Sequence, residues 1–413
     1  MKKNFLNDFI GRNFFHQCTD KDKLIEITKT SSIKAYIGFD CTAQSLHVGS
    51  LLQIMTLRLL QKHGHQPIVL LGGGTTLIGD PSGKDSTRRI LNEEVISKNI
   101  EKIKKTFTKL LDFSNTETKP VFVDNSTWLT KLNYIDFLRN VGQHFTINKM
   151  LNFDSVKLRL EREQSLSYME FNYMILQAYD FYKLNDEYDC ILQIGGSDQW
   201  GNIINGVELI RKLNKKEAFG LTTPLITLSS GAKMGKSENG AVWLDKDLLT
   251  PYDYWQFWRN TADEDVKKFL KYFTEIEIEE LEKIFKSEKN INNLKILLAN
   301  ETTKILHGKE AANDAENTAK KTFEDGGVGK NLPEIKLKIS DLDKGINILD
   351  LLCLNNILPS KSEARRTIKN NGIKINDIGI IDEKKNITSK DLEKKKYIKI
   401  SHGKKKHFII KAY

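Results

Sequence analysis

The sequence predicts an α/β protein built on a doubly wound parallel sheet, with smaller domains after it. Three observations carry that expectation. Short apolar runs rich in branched and aromatic residues alternate with stretches of helical periodicity through the first half of the chain, the pattern of strand–helix–strand units. Those runs close in polar or glycine-rich turns: Asp40 to Ser45, Gly72-Gly73-Gly74, and Gly195-Gly196-Ser197-Asp198-Gln199. Sheets of this kind bind ligands beyond the carboxyl ends of their strands, where these turns fall. The charge is also uneven. The 413 residues carry a net +10, and residues 331–413 hold 19 Lys and Arg against 10 Asp and Glu, an excess of +9. That asymmetry points to a polyanion-binding module at the C-terminus, with a solvated lysine face as the plain alternative.

The elements follow in order. Up to about Thr30, Phe5, Phe9, Leu24 and Ile27 mark one amphipathic helical region. Ala35 to Phe39 reads as a buried strand, Ser45 as an N-cap, and Leu46 onward to Lys62 as a helix whose first turn carries His47, Gly49 and Ser50. A helix start presents unsatisfied N–H groups to phosphate, and Gly49 lets a flat ring lie against the backbone. The stretch is neither a P-loop nor a three-glycine dinucleotide fingerprint. Pro67 to Leu71 is the next strand, followed by a loop with Asp80-Pro81-Ser82-Gly83-Lys84. A charged helix spans Glu93 to Leu111, a strand Pro120 to Asp124, a helical insertion Asn133 to about Tyr182, and a strand Cys190 to Gly195.

Downstream, Lys233-Met234-Gly235-Lys236-Ser237 places two lysines three apart, and Asp245 to about Glu324 turns helical around Trp255, Phe257, Trp258, Phe269 and Phe273. Gly326-Gly327-Val328-Gly329 reads as a linker. Beyond it come helices Ile346 to Leu354 and Ser362 to Asn370, strand Ile373 to Ile375, and a basic strand pair from Tyr397 to Lys411. The expected domains are 1–230 with a helical insertion at about 125–185, a lysine loop at 231–245, a helical domain at 246–325, a linker at 326–344, and a C-terminal domain at 345–413.

A hydrophobic fraction of 39% excludes a disordered or collagenous chain. Cys18, Cys41, Cys190 and Cys353 form no CxxC pair, which argues for a reducing compartment and against structural zinc. The start of the chain lacks an apolar core of signal-peptide length, and no run reaches the length of a membrane span. The expectation is a soluble cytoplasmic protein.

Single residues say little. His47 alone is more often structural. Tyr173, Gln177 and Asp180 stand at i, i+4 and i+7 and share one helix face, which taken blind is a boundary helix with its polar side in water. Asp180 is set among Ile175, Ala178 and Phe181, and a carboxylate there is costly unless something pairs with it. The ensemble is specific. LHVGS and KMGKS resemble the HIGH and KMSKS signatures of class I aminoacyl-tRNA synthetases. YIGFDCTAQSLHVGS, LIGDPSGK, YMILQAYDF and LQIGGSDQWGN narrow the resemblance to bacterial-type tyrosyl-tRNA synthetase, from about residue 30 to the C-terminus. SEARRTIKNNGIKIN resembles an S4-type RNA-binding domain.

The resemblance implies a Rossmann-like catalytic domain, an α-helical domain, and an S4-like α+β domain that binds tRNA through Arg365, Arg366, Lys369, Lys404, Lys405 and Lys406. It implies that Tyr173, Gln177 and Asp80 hold the ammonium of tyrosine, Asp180 and Tyr36 its phenol, and Gln199 its carboxyl end. ATP falls to Asp40, His47, Gly49, Ser50, Gly196 and Asp198, with Lys233 and Lys236 on the departing pyrophosphate and Lys84 and Arg88 assisting. Magnesium accompanies ATP without a protein-held metal site. The family is homodimeric through the region of Asn133 to Glu163. There are departures: Ser50 replaces the second signature histidine, Cys41 a proline, and Gly235 a serine, which is expected to loosen the lysine loop. The competing readings are a tryptophanyl enzyme, a small-molecule adenylyltransferase, and a non-catalytic RNA-binding protein. Amino-acid-dependent exchange of pyrophosphate into ATP separates them.

Overall fold

A computed structural model describes residues 4–80, 91–231, 234–237, 240–323, 332, 334–392, 397–403 and 406–413. The chain divides into two compact units, residues 1–309 and 310–413.

The first unit holds a six-stranded sheet of β1 (Gln17–Cys18), β2 (Lys34–Asp40), β3 (Gln66–Gly72), β4 (Val121–Asp124), β5 (Cys190–Gly196) and β6 (Phe219–Thr223), in the order β1-β6-β5-β2-β3-β4. All neighbours are parallel except β1, which is antiparallel to β6. Both faces are covered by helices, so β3 is buried along Pro67 to Gly72 and reads as an unbroken apolar run. Strand β2 is flanked by β3 on one side and β5 on the other. The strand order reverses there, which opens a crevice at the carboxyl ends of β2 and β5.

The helices before β5 are α1 (Phe5–Gly11), α2 (Lys21–Thr30), α3 (Leu51–Lys62), α4 (Gly73–Ile78), α5 (Glu93–Leu110), α6 (Ser126–Leu129), α7 (Tyr134–Asn140), α8 (Ile147–Leu151), α9 (Asp154–Glu161) and α10 (Tyr168–Tyr188). Two expectations are corrected. The N-terminal region is two helices, capped by Asn4 and Asp20, with Asn13 in the left-handed region (φ 63°) and β1 between them. The signature helix does not start at Leu46. A 3-10 turn, Val48–Ser50, comes first, because Leu46 and Val48 are drawn into backbone pairing with Leu244 and Val242. Ser45 accordingly accepts from Asp245 N–H (3.1 Å) instead of capping.

Beyond β5, α11 (Trp200–Leu213) leads to β6, and β7 (Lys236–Ser237) pairs with β8 (Gly240–Ala241). Helices α12 (Pro251–Arg259), α13 (Asp263–Phe273), α14 (Ile278–Ser287) and α15 (Ile291–His307) enclose Trp255, Trp258, Phe269 and Phe273. Helix α13 packs on α3, and α15 on α5, so this helical region shares one unit with the sheet.

The second unit begins with α16 (Lys309–Phe323), then β9 (Glu334–Leu337), α17 (Ile339–Lys344), β10 (Ile346–Asn347), α18 (Ile348–Leu354) and α19 (Lys361–Lys369). Strands β11 (Ile373–Ile375), β12 (Ile378–Gly379), β13 (Asn386–Ile387), β14 (Tyr397–His402) and β15 (Lys406–Ala412) complete it, with a main sheet ordered β12-β11-β14-β15-β9. The linker expected at 326–344 therefore contains β9, paired in parallel with β15, and α17. The helix expected from Ile346 starts at Ile348, since Ile346 and Asn347 pair with β13 and Asn347 accepts from Leu349 N–H. Ala364 and Ile368 of α19 enter the apolar core, leaving Arg365, Arg366 and Lys369 exposed. Lys404 and Lys405 lie outside the described residues, and Lys406 opens β15.

A buried charged cluster ties the N-terminus to the helical region. Arg12 donates from Nε to Asp8 (3.2 Å) and from its Nη atoms to the carbonyls of Thr274 (2.7 Å), Lys271 (3.1 Å) and Ile276 (3.0 Å). His63 of α3 meets the other Asp8 oxygen at 3.1 Å. Removing Arg12 leaves Asp8 and three carbonyls short of a donor. Arg12→Ala is expected to cost roughly 3–5 kcal/mol in urea unfolding of the whole chain; a loss below about 1 kcal/mol, the range of a surface pair, would contradict this.

Candidate active site

The crevice at the switch point is a cleft of about 600 Å³. It gathers Tyr36, Asp40, His47, Gly49, Ser50, Asp80, Tyr173, Gln177, Asp180, Gly196, Asp198 and Gln199 from the ends of β2 and β5, the turn before α3, the end of α4 and one face of α10. Twelve of the expected site residues thus line one cavity. Lys84, Arg88 and Lys233 lie outside the described residues, while the backbone of Lys236 opens β7.

At one end His47 caps the 3-10 turn, its Nδ1 accepting from Gly49 N–H at 3.0 Å. In the neutral ring the proton is therefore on Nε2, and that atom is the donor. The segment is fastened across the fold: Val48 N–H donates to Val242 O (2.9 Å), Leu244 N–H to Leu46 O (2.9 Å), and Val242 N–H to Gly235 O (3.1 Å). The two signature stretches are in direct contact. A Cβ on Gly49 would stand 2.6 Å from His47 Cε1 and 2.9 Å from Met234 O, and one on Gly235 (φ +119°) 2.7 Å from His47 Nδ1. Gly235 is thus a requirement of close approach. Ser50 lines the same end without capping α3. Gly196 makes room for Asp198, whose Oδ1 would be 2.6 Å from an added Cβ.

At the other end the cleft is deep and polar in a few places only. Asp180 is 1% exposed. It accepts from Asn125 Nδ2 at 2.9 Å and from Trp128 Nε1 at 2.8 Å. Burial raises its carboxyl to about 7; those two hydrogen bonds pull it down, and the charges of Asp40 and Asp124 push it up. Tyr36 is fully buried, and its hydroxyl has no hydrogen-bond partner among the described residues. Burial first, then the Asp180 charge, hold that phenol well above its ordinary pKa. Between the two ends Tyr173 donates to Asp40 (3.3 Å) and Gln199 Nε2 to Asp80 Oδ2 (3.0 Å).

Sequence reasoning missed several members. Asn202, 5% exposed, donates to the oxygens of both Gln177 (2.9 Å) and Gln199 (3.1 Å), which fixes the orientation of two amides. Asn125 and Trp128 satisfy Asp180, and the oxygen of Gln193, 3% exposed, faces no partner among the described residues. The only signal for Asn125 and Trp128 was Asp180 itself, a mid-helix carboxylate that needed donors from somewhere.

The raised carboxyl makes a stability prediction. Below about pH 4 Asp180 is protonated in both states. As pH rises toward 7 the unfolded chain ionises first, so this residue's contribution to stability falls, levelling off above about 7. An amide has no such term. The Tm of Asp180→Asn relative to the parent protein is expected to become more favourable from pH 5 to pH 8; a difference independent of pH would contradict the assignment.

The profile of the family described as tRNA synthetases class I (W and Y) matches residues 28–324, and that of the Tyrosine--tRNA ligase SYY-like C-terminal domain residues 324–410. The tyrosine–tRNA ligase of Pelagibacter ubique is 64% identical over 403 residues, 98% of each chain. That of Rickettsia rickettsii is 54% identical over 410 residues, 99% of this chain and all of the other. Among solved structures, a C-terminally truncated mitochondrial tyrosyl-tRNA synthetase of Aspergillus nidulans superimposes with a TM-score of 0.70 at 29% identity, covering 78% of this chain and 95% of that one. With its cleft, both signature segments and both domain profiles in agreement, the chain belongs to the tyrosine–tRNA ligase family of class I tRNA synthetases.

Proposed function

We propose that the cleft activates tyrosine with ATP to tyrosyl-adenylate, releasing pyrophosphate, and then passes the tyrosyl group to the 3′-terminal adenosine of tRNA(Tyr). One observation carries the choice of amino acid. The buried Tyr36 hydroxyl has no partner among the described residues, and it lies in the same pocket as the buried Asp180 carboxylate. A phenol hydroxyl donates to Asp180 and accepts from Tyr36 with one atom. An indole N–H only donates, which would leave Tyr36 unpaired, and a phenylalanine ring leaves both groups unpaired.

The remaining roles follow the polarity of the lining. Asp80, Tyr173 and Gln177 take the ammonium, and Gln199, its oxygen held by Asn202, turns Nε2 toward Asp80 and the carboxyl end. The substrate carboxylate attacks the α-phosphate of ATP in line, and the bond to pyrophosphate breaks. His47 Nε2–H meets developing negative charge, with Lys233, Lys236, Lys84 and Arg88 supplying the cations. Asp198 and Ser50 take ribose oxygens, Asp40 and Gly196 flank the nucleotide, and Gly49 admits the adenine. ATP enters as its magnesium complex.

The broader organisation is part of the same proposal. Residues 1–230 form the catalytic part, 246–325 the helical part, and the C-terminal domain holds tRNA through Arg365, Arg366, Lys369, Lys404, Lys405 and Lys406. The exposed Tyr134, Ile135, Leu138, Ile147, Leu158 and Leu160 form the apolar surface of a homodimer. No described helix is long and apolar enough to cross a membrane. We assign the protein to the cytoplasm.

The test is pyrophosphate exchange with tyrosine, phenylalanine and tryptophan in turn. Tyrosine should be preferred over phenylalanine by about 10⁴-fold or more, a magnitude already known for tyrosyl-tRNA synthetases and not obtained from this geometry. Tyr36→Phe should relax that ratio modestly and Asp180→Ala should cut tyrosine activation far more, since a charged acceptor is worth about twice a neutral one. Unchanged ratios in both variants would overturn the pocket assignment. A chain ended after Gly329 should keep exchange and lose efficient charging of tRNA. Binding of tRNA to the full chain should weaken steeply with salt as lysines displace phosphate counterions. Normal charging by the shortened chain would refute the C-terminal assignment.

A further inference from the structure

The wall of the cleft leading into the lysine signature is held by a pair of residues outside the cleft. Asp265 lies in the first turn of α13, 3% exposed, and its Oδ2 accepts from the backbone N–H of Ser229 at 2.9 Å. Its Oδ1 accepts from Lys268 Nζ, one turn on, at 2.7 Å. Lys268 Nζ also donates to the carbonyl of Thr227 at 3.0 Å. One ion pair therefore grips residues 227 and 229 from both sides of the peptide chain: the carboxylate holds an N–H and the ammonium a carbonyl. Burial alone would raise the Asp265 carboxyl; the hydrogen bonds from Lys268 and Ser229 outweigh it and hold the group below its ordinary range.

What is gripped matters for the reaction. Leu225, Ile226 and Thr227 line the cleft, as does Met234. Met234 N–H donates to Ile226 O (3.3 Å), and the next residue, Gly235, has its backbone against the His47 ring and accepts from Val242 N–H. A shift of residues 226–229 is therefore passed through one backbone hydrogen bond to Met234, the neighbour of the residue that touches His47.

We propose that Asp265 and Lys268 are positioning residues for adenylate formation, clamping residues 227–229 so that Met234 and Gly235 sit in register against His47. The clamp places the control of this register on α13, in the helical region that follows the signature, and not on the cleft itself. It rests on the tyrosine-dependent activation proposed above.

Exchange kinetics of the full chain, with tyrosine affinity measured separately without ATP by tryptophan fluorescence, test it. Asp265→Ala should lower kcat for exchange roughly 10- to 100-fold, the scale set by displacing a reacting geometry by about an ångström. Tyrosine affinity should stay within about twofold of the parent's, because the clamp touches neither Tyr36 nor Asp180. Asp265→Asn keeps an acceptor for Ser229 N–H and should recover part of the rate. Lys268→Met, with a side chain 36% exposed in the parent, should fold and lower kcat in the same direction, which decides the matter if Asp265→Ala does not fold. An unchanged kcat in Lys268→Met, or a loss of kcat matched by an equal loss of tyrosine affinity, would overturn the clamp. Absence of tyrosine-dependent exchange in the parent protein would instead overturn the functional reading beneath it.

Discussion

The catalytic unit is arranged around a buried carboxylate that folding must satisfy. Asp180 lies in mid-helix at 1% exposure, and both donors that reach it, Asn125 and Trp128, come from the segment just after β4. Their hydrogen bonds pin α10 to the far side of the sheet. Asn125 does more. Its oxygen accepts from Gly74 N–H at 2.8 Å, at the start of α4, so the same side chain fixes the turn after β3. The glycines of that turn follow from this crowding: a Cβ on Gly73 would be 2.2 Å from Asp124 Oδ1, and one on Gly74 3.0 Å from Leu129 Cβ. Gly73 and Gly74 are thus packing requirements of the turn that Asn125 holds. The fold carries this acid at a cost in stability, because burial raises its carboxyl to about 7.

Most of the sheet was legible because its cause is local. A parallel strand buried on both faces must be apolar throughout, so β2, β3 and β5 stand out from the charged helices around them. Strand β6, buried along its whole length, was missed as well, and the other elements missed are set by distant partners. Strand β1 has two residues and exists only because β6 is there to pair with it. Residues 46–48 have the periodicity of a helix start, yet His47 is extended (φ −117°, ψ 171°) and Leu46 and Val48 pair with Leu244 and Val242, because residues 242–244 offer a ladder. The same holds for β9, in a stretch whose composition suggests a linker and whose fourfold pairing with β15 makes it a strand. Long-range backbone pairing leaves no mark in a local pattern.

At the site, residue types were legible and their couplings were not. That Asp180 needed partners follows from its neighbours in sequence; that the partners are Asn125 and Trp128 does not. Asn202 shows the same limit. Its amide sets the orientation of Gln177 and Gln199, yet in sequence it is one more polar residue on the first turn of a helix. Gly235 is the instructive case. Compared by residue type, glycine for serine means more freedom. In the fold its φ of +119° and the His47 ring beside it mean that glycine is what lets the two signature segments touch.

The charge of the cleft explains why the signature lysines stand on segments of their own. Its described lining holds four aspartates, Asp40, Asp80, Asp180 and Asp198, with His47 as the one basic side chain among them. Such a surface suits an ammonium, a phenol and ribose hydroxyls, and it repels a triphosphate. The N–H groups of the turn before α3 are taken up by Val242 O, His47 Nδ1 and His47 O, so that turn adds no charge either. In the reaction proposed above, positive charge for the leaving pyrophosphate has to come from elsewhere in the chain, and the resemblance assigns it to Lys84, Arg88, Lys233 and Lys236. Under the clamp proposed above, the register of residues 226–229 and of Met234 and Gly235 against His47 is therefore a condition for bringing one set of charges to the other.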